Sequence, residues 1–210
     1  MFITLEGIEG SGKTTQLENI VEFMNDRHYE YVVTREPGGT AIGKEIRAIL
    51  LSPDTKNLNS LTELLLYAAD RAQHVKEVII PTLDSGKTVI CDRFFDATTA
   101  YQGFARGLDM KQIKILHEII LGSLKPDITL LFDLPPETGL KRAWTQINNG
   151  GRSENETRFE KEMISFHEKV RKGYLKIADT EHERFHVIDA SKNVDQVKKA
   201  IIDILSDKMP

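Results

Sequence analysis

The chain has 210 residues, 40% hydrophobic and 29% charged, with a net charge of −4 at pH 7. That length suits one domain whose core closes without disulfides or structural metal. The acidic balance lends no support to a nucleic-acid surface, and no apolar run approaches the roughly 18 residues of a membrane helix.

Phe2, Ile3 and Leu5 predict a short buried strand directly after Met1, with no basic leader before it. Gly7-Ile8-Glu9-Gly10-Ser11-Gly12-Lys13-Thr14 follows and fits Gly-x-x-x-x-Gly-Lys-Ser/Thr. Next, Leu17, Ile20, Val21 and Met24 recur at helical spacing within Gln16 to Asp26. Between a strand and a helix, such a loop wraps its backbone around phosphate oxygens, with N–H groups aimed at the negative charge. The expected triphosphate contacts are Gly7, Ile8, Glu9, Gly10, Ser11, Gly12, Lys13, Thr14 and Thr15. Lys13 is expected to reach the β- and γ-phosphates of a nucleoside triphosphate, and the Thr14 hydroxyl to ligate Mg²⁺.

Tyr31 to Thr34, Thr88 to Cys91, Ile128 to Phe132 and Phe185 to Ile188 predict four more strands. Helices are expected near 41–51, 61–80, 111–122, 137–146, 158–178 and 194–206. Start signals stand at Asn59-Ser60, Pro135-Pro136-Glu137 and Ser191 to Asn193. This alternation predicts an α/β fold, a parallel five-stranded sheet covered by helices on both faces. The polar, glycine-bearing stretch Asn148 to Asn155 lies between two helices and reads as a mobile lid, placed near 142–158. Cys91, the single cysteine, reads as a small core residue; with no targeting signal, the cytoplasm is the expected compartment.

Ligands of such sheets sit beyond the carboxyl ends of the strands. Asp92, just after the third strand, is placed to bind the metal directly or through its water. Arg35 and Arg93 follow strands too, and offer planar forks suited to phosphate. Tyr67 and Arg71, four apart, share a helical face; alone, such a pair also fits a core ring beside a surface charge. Thr98, Tyr101 and Gln102 share a face if the segment after Asp96 is helical. Together they compose a nucleotide pocket: a ring to stack, an amide for a base edge, hydroxyls and arginines.

The phosphate loop, Thr-Arg-Glu-Pro-Gly-Gly-Thr at 34–40, Asp-Arg-Phe at 92–94 and Ala-Tyr-Gln-Gly at 100–103 resemble the thymidylate kinases in order and spacing over essentially the whole chain. The resemblance implies a single-domain P-loop kinase. It would move the γ-phosphate of ATP to thymidine 5′-monophosphate with Mg²⁺, a step towards dTTP. It implies that Tyr67 stacks on thymine, where Phe is common, and that Arg71 and Gln102 read the base, Arg71 also meeting the acceptor phosphate. Arg35 and Arg93 match the arginines that hold that phosphate, Tyr101 the tyrosine against the deoxyribose, and Glu9 an acidic position at the sugar or the metal shell. Thr98 stands where serine is usual near the base. Phe94 stands where tyrosine is frequent. The resemblance also points to a homodimer through helices 61–80 and 111–122, whose surplus apolar residues fit a core equally well.

Phosphate-to-phosphate transfer needs positive charge beside Lys13 and Arg93. Ile8 to Ser11 carries no cation, so the lid region is expected to bring it, from Lys141, Arg142, Arg152 or Arg158, with Arg142 and Arg152 favoured. Arg158 also suits an ordinary helix-surface pair with Glu160 or Glu162. The loop Asp189 to Lys192 either lines adenine or caps a helix. His182-Glu183-Arg184-Phe185-His186 spells a zinc-protease signature. Its second histidine falls in a strand, where residues four apart lie about 13 Å from each other, so no zinc is expected. GTP-switch motifs Asp-x-x-Gly and Asn-Lys-x-Asp are absent from the sequence.

Overall fold

A computed structural model describes residues 1–151 and 153–209. Five strands form one all-parallel sheet: β1 Phe2–Glu6, β2 Tyr31–Arg35, β3 Thr88–Asp92, β4 Ile128–Asp133 and β5 Phe185–Asp189, in the order β2-β3-β1-β4-β5. Every residue of the central β1 is buried, as both-sided coverage requires. The period of two divides the faces. Ile3, Leu5 and Ile90 pack with Ile20, Phe23 and Met24, while Phe2, Val89 and Cys91 pack with Val75, Ile79 and Phe94. The edge strands β2 and β5 are only partly buried. The register pairs Leu5 and Arg35 with Asp92, and Asp133 with Asp189, so Glu6, Arg35, Asp92 and Asp133 end at one edge.

The helices are α1 Lys13–Asp26, α2 Ala41–Leu51, α3 Ser60–His74, α4 Ile80–Asp84, α5 Phe95–Thr98, α6 Met110–Leu121, α7 Pro136–Asn148, α8 Ile164–Thr180 and α9 Val194–Lys208. Asn59, Asp109 and Asn193 cap α3, α6 and α9 by accepting backbone N–H bonds. No helix among the described residues is long and apolar enough to cross a membrane.

Two boundaries differ from the sequence expectation. The run expected at 61–80 widens into a π-helical turn at Val75–Ile79 before α4. Pro81 has no N–H and its ring crowds the preceding turn, and the wider turn absorbs both. The helix expected from 158 begins at Ile164: Arg158 is drawn away to Glu63, and Phe159 packs edge-on against Tyr101. Tertiary contacts override local propensity there. After Asp96 the chain is helical, as the pocket reading required, with α5 running into a π-helical segment at Thr99–Ala105. Part of the stretch read as a lid is tied down, since Arg47 forks onto Glu156 at 2.6 and 2.8 Å.

Candidate active site

The loop after β1 leans on its glycines, Gly7, Gly10 and Gly12, all at positive φ. A Cβ on Gly10 would collide with the Gly139 carbonyl, and its φ is +68°. Gly12 sits at φ +94° as the N-cap of α1 and offers no side-chain cap. The first amides of α1 thus stay available to an anion. Lys13 folds back over the loop: Nζ donates to Gly7 O and Ile8 O at 3.0 Å each and to Ser11 Oγ at 3.3 Å. Burial, helped by the Arg93 charge, lowers its ammonium to about 8.

Arg93 adopts φ +68°, a region that costs a branched-out side chain on the order of 1 kcal/mol or more. Three neighbours hold it there. Nη1 donates to Gly7 O at 2.7 Å and to Tyr174 Oη at 3.2 Å; Nη2 donates to Glu9 Oε1 at 3.1 Å. Glu6 secures the next residue, accepting from the Phe94 N–H at 2.7 Å and from Tyr174 Oη at 2.7 Å. Burial, with Asp96 adding to it, raises the Glu6 carboxyl to about 8.

Glu9 accepts from Tyr101 Oη at 2.5 Å, and its Oε2 lies 3.1 Å from His167 Nδ1, at ion-pair distance though without hydrogen-bond alignment. Burial opposes its ionisation, but His167, Arg93 and Tyr101 together hold the carboxyl well below the usual range. Burial likewise opposes a charge on His167, and Glu9 outweighs it, raising the imidazole. His167 Nε2 reaches Phe159 O at 3.0 Å, which links α8 to the segment before it.

A cavity of about 490 Å³ opens between these groups. Lys13, Thr14, Thr15, Arg35, Asp92 and Arg93 line one part of it, and Tyr67, Arg71, Thr98, Tyr101 and Gln102 the other. The strand-end and helix-face residues named from sequence therefore meet in one space. Arg71 is 2% exposed; Nε donates to Glu36 Oε2 at 2.8 Å and Nη2 to Phe94 O at 3.2 Å. Glu36 is fixed in turn by His74 Nδ1 at 2.9 Å. The Thr98 hydroxyl is buried without a partner among the described residues. Phe94 needs no hydroxyl, because its ring packs edge-on to Phe2 at 4.9 Å.

Asp92 Oδ1 is a buried carboxylate oxygen with no partner among the described residues, and it shares the cavity with the Thr14 hydroxyl. Hard oxygen donors of this kind fit Mg²⁺, which takes one or two protein ligands and completes its shell with phosphates and water. No cluster of three or more metal-binding side chains occurs among the described residues. His186 lies on β5 and His182 in the turn before it, so the two share no helical face.

A second cavity of about 700 Å³ adjoins the loop from the other side, lined by Gly10, Gly12, Thr15, Lys141, Arg142 and Lys192 among others. Arg142 lines this one and not the first; its Nη1 donates to Ala190 O at 3.0 Å. Of the Asp189–Lys192 loop, Ala190 and Lys192 line this cavity and Asp189 accepts from the Ser191 N–H, while the cap of α9 is Asn193, outside the loop. Arg152 lies outside the described residues. Arg158 corrects the sequence reading: it forms no surface pair with Glu160 or Glu162. Instead it donates to Leu50 O and meets Glu63 Oε2 at 2.7 Å.

Sequence reasoning passed over Glu6, Glu36, Glu63, His167 and Tyr174. Glu6 and Glu36 stand inside or beside the quoted motifs. Glu63 is one turn from Tyr67, and His167 and Tyr174 are seven apart on α8, so helical spacing held a signal for each.

The thymidylate kinase family model matches residues 5–201. The chain belongs to the thymidylate kinase family. It is accordingly a nucleotide kinase. Thymidylate kinase from Desulfosudis oleivorans is 60% identical over 90% of this chain and 89% of its own length. That from Desulforapulum autotrophicum is 56% identical over 96% and 89%. The crystal structure of thymidylate kinase from Ehrlichia chaffeensis superposes with a TM-score of 0.77 at 35% identity, covering 98% of each chain. The thymidylate kinase fold thus extends over nearly the whole length, including the strand ends that line the first cavity.

Proposed function

We propose that this chain is a thymidylate kinase that transfers the γ-phosphate of ATP to thymidine 5′-monophosphate, giving ADP and thymidine 5′-diphosphate. It works as one kinase domain with a lid near 142–158, in the cytoplasm. The observation that carries this reading is the single cavity lined by Lys13, Arg35 and Arg93 together with Tyr67 and Gln102. It brings triphosphate and monophosphate chemistry within one space.

The loop from Gly7 to Thr15 takes the triphosphate, and the second cavity takes the adenosine beside Lys192. Arg35 and Arg93 hold the acceptor phosphate, and Tyr67, Arg71, Thr98 and Gln102 hold the base. Tyr101 sets the sugar and Glu9 fixes both Tyr101 and Arg93. Thr14 and Asp92 would hold Mg²⁺, which neutralises part of the charge on the triphosphate oxygens. An acceptor oxygen then attacks the γ-phosphorus in line while ADP leaves. Lys13 and Arg93 stabilise the charge that spreads over the transferring group, and Arg142 or Arg152 adds to it as the lid closes. Two copies pair through the apolar residues exposed on α3 and α6, Leu61, Leu65, Ile115 and Ile119, the last 74% exposed.

A coupled ADP-release assay over a panel of nucleoside monophosphates with Mg²⁺-ATP tests the reading. Thymidine 5′-monophosphate stands first; turnover led by a purine monophosphate rejects it.

A further inference from the structure

Behind the cavity wall, Glu63 on α3 is 1% exposed and collects donors on both oxygens. Oε1 accepts from Gln102 Nε2 at 2.8 Å and from Arg106 Nε at 3.3 Å. Oε2 accepts from Arg106 Nη2 at 3.3 Å and lies 2.7 Å from Arg158 Nη2. With two guanidinium groups on it, this carboxylate has acceptors only and no hydrogen to offer. An amide side chain can face it with NH₂ alone. The rotamer of Gln102 is therefore decided by chemistry: its NH₂ points back to Glu63, and its carbonyl Oε1 faces the cavity that Gln102 lines. No donor among the described residues occupies that oxygen.

The neighbouring wall group has the opposite character. Arg71 uses Nε and one Nη2 hydrogen on Glu36 and Phe94, and Nη1 has no acceptor among the described residues. The wall thus presents a donor-only guanidinium and an amide turned acceptor-inward. A thymine edge offers O4, an acceptor, next to N3–H, a donor; cytosine offers N4–H₂, a donor, next to bare N3, an acceptor. The wall complements the first edge and opposes the second at both positions.

We propose that Glu63, which does not line the cavity, is a specificity-determining positioning residue. By locking the Gln102 carbonyl inward it selects pyrimidine monophosphates that carry a hydrogen on N3 over those of the cytosine type. This rests on the first cavity being the acceptor site. Uracil presents the same edge, so this device does not separate it from thymine.

The test is Glu63→Gln. An amide at 63 can offer either its oxygen or its NH₂, which frees Gln102 to turn. The ratio of kcat/KM for thymidine to deoxycytidine monophosphate falls at least about tenfold, mainly through KM, since a site built around a hydrogen bond discriminates strongly. The thymidine-to-deoxyuridine ratio stays put; general damage would lower all three substrates alike. The exchange Glu63→Gln with Gln102→Glu restores an acceptor-only group at 102 and regains the thymidine preference, and it serves if the single variant fails to fold. An unchanged cytosine ratio in Glu63→Gln, or no recovery in the exchange, overturns the proposal. Gln102→Ala separates the layers. A ratio that collapses there while Glu63→Gln keeps it condemns Glu63 alone. A ratio intact in Gln102→Ala removes Gln102 from base reading and the proposal with it.

Discussion

The two cavities beside the phosphate loop are built differently. Around the first, four wall groups are pinned by buried carboxylates: Arg71 by Glu36, Arg93 and Tyr101 by Glu9, Gln102 by Glu63. Around the second, Lys141, Lys192 and Asn193 are exposed, and the loop backbone supplies most of the order. A small, rigid acceptor must be told from close analogues, and fixed donors and acceptors do that by leaving the wrong partner unpaired. On the proposed reading the second cavity takes the donor's adenosine, beside a triphosphate that is recognised largely by charge, which backbone amides deliver without fine side-chain positioning.

Breaking the acceptor side should therefore cost most. Arg93→Ala removes charge from the transferring group and uncouples Glu9, and kcat/KM should fall about 10³-fold or more. A loss under tenfold in steady-state kinetics would show the first cavity is not where transfer occurs. On the donor side, Arg152→Ala should cut kcat by about 10³-fold while leaving the monophosphate KM nearly unchanged. Arg142→Ala measured beside it decides which arginine brings the charge, and full turnover in both removes the lid from the chemistry. Next comes Glu36→Gln, which loosens Arg71 without touching the loop. We expect the monophosphate KM to rise about tenfold with the ATP KM unmoved, the cost of one charge-assisted bond. Equal changes in both constants would erase the contrast between the cavities.

The smallest effect is on stability. Because the Glu6 carboxyl is raised from 4.5 to about 8, the folded chain keeps a proton that the unfolded chain releases above about 4.5. The stability this group contributes is fully present below about 4.5 and is lost as pH rises towards 8. Glu6→Gln removes that titration. Its Tm should gain on the parent between pH 5 and pH 8, by roughly 2–4 °C for each kcal/mol of that linkage in a chain of this size. A difference that stays constant with pH would contradict the assigned burial.

Much of this was legible in the residues alone. The strands were found to within a residue, because buried parallel strands are apolar throughout, and the loop was found because its glycines obey backbone constraints that spacing reveals. Arg35, Asp92 and Arg93 followed from the rule that strand ends carry the site. What stayed hidden was the layer behind the wall. Glu63, His167 and Tyr174 read as ordinary helix residues, since a carboxylate buried against two arginines looks in sequence like one facing water. Arg158 was misread for the same reason: its partner is 95 positions away, and local spacing offered two nearer ones.

The central claim is that the donor's triphosphate and the acceptor monophosphate meet in the first cavity, at the loop. The most direct measurement is competition by one molecule joining adenosine and thymidine through a chain of five phosphates. It should compete with both ATP and thymidine 5′-monophosphate, bind one per chain, and lose its advantage over ADP in Arg93→Ala. Competition with ATP alone would mean that the two sites are not joined, and would contradict the account.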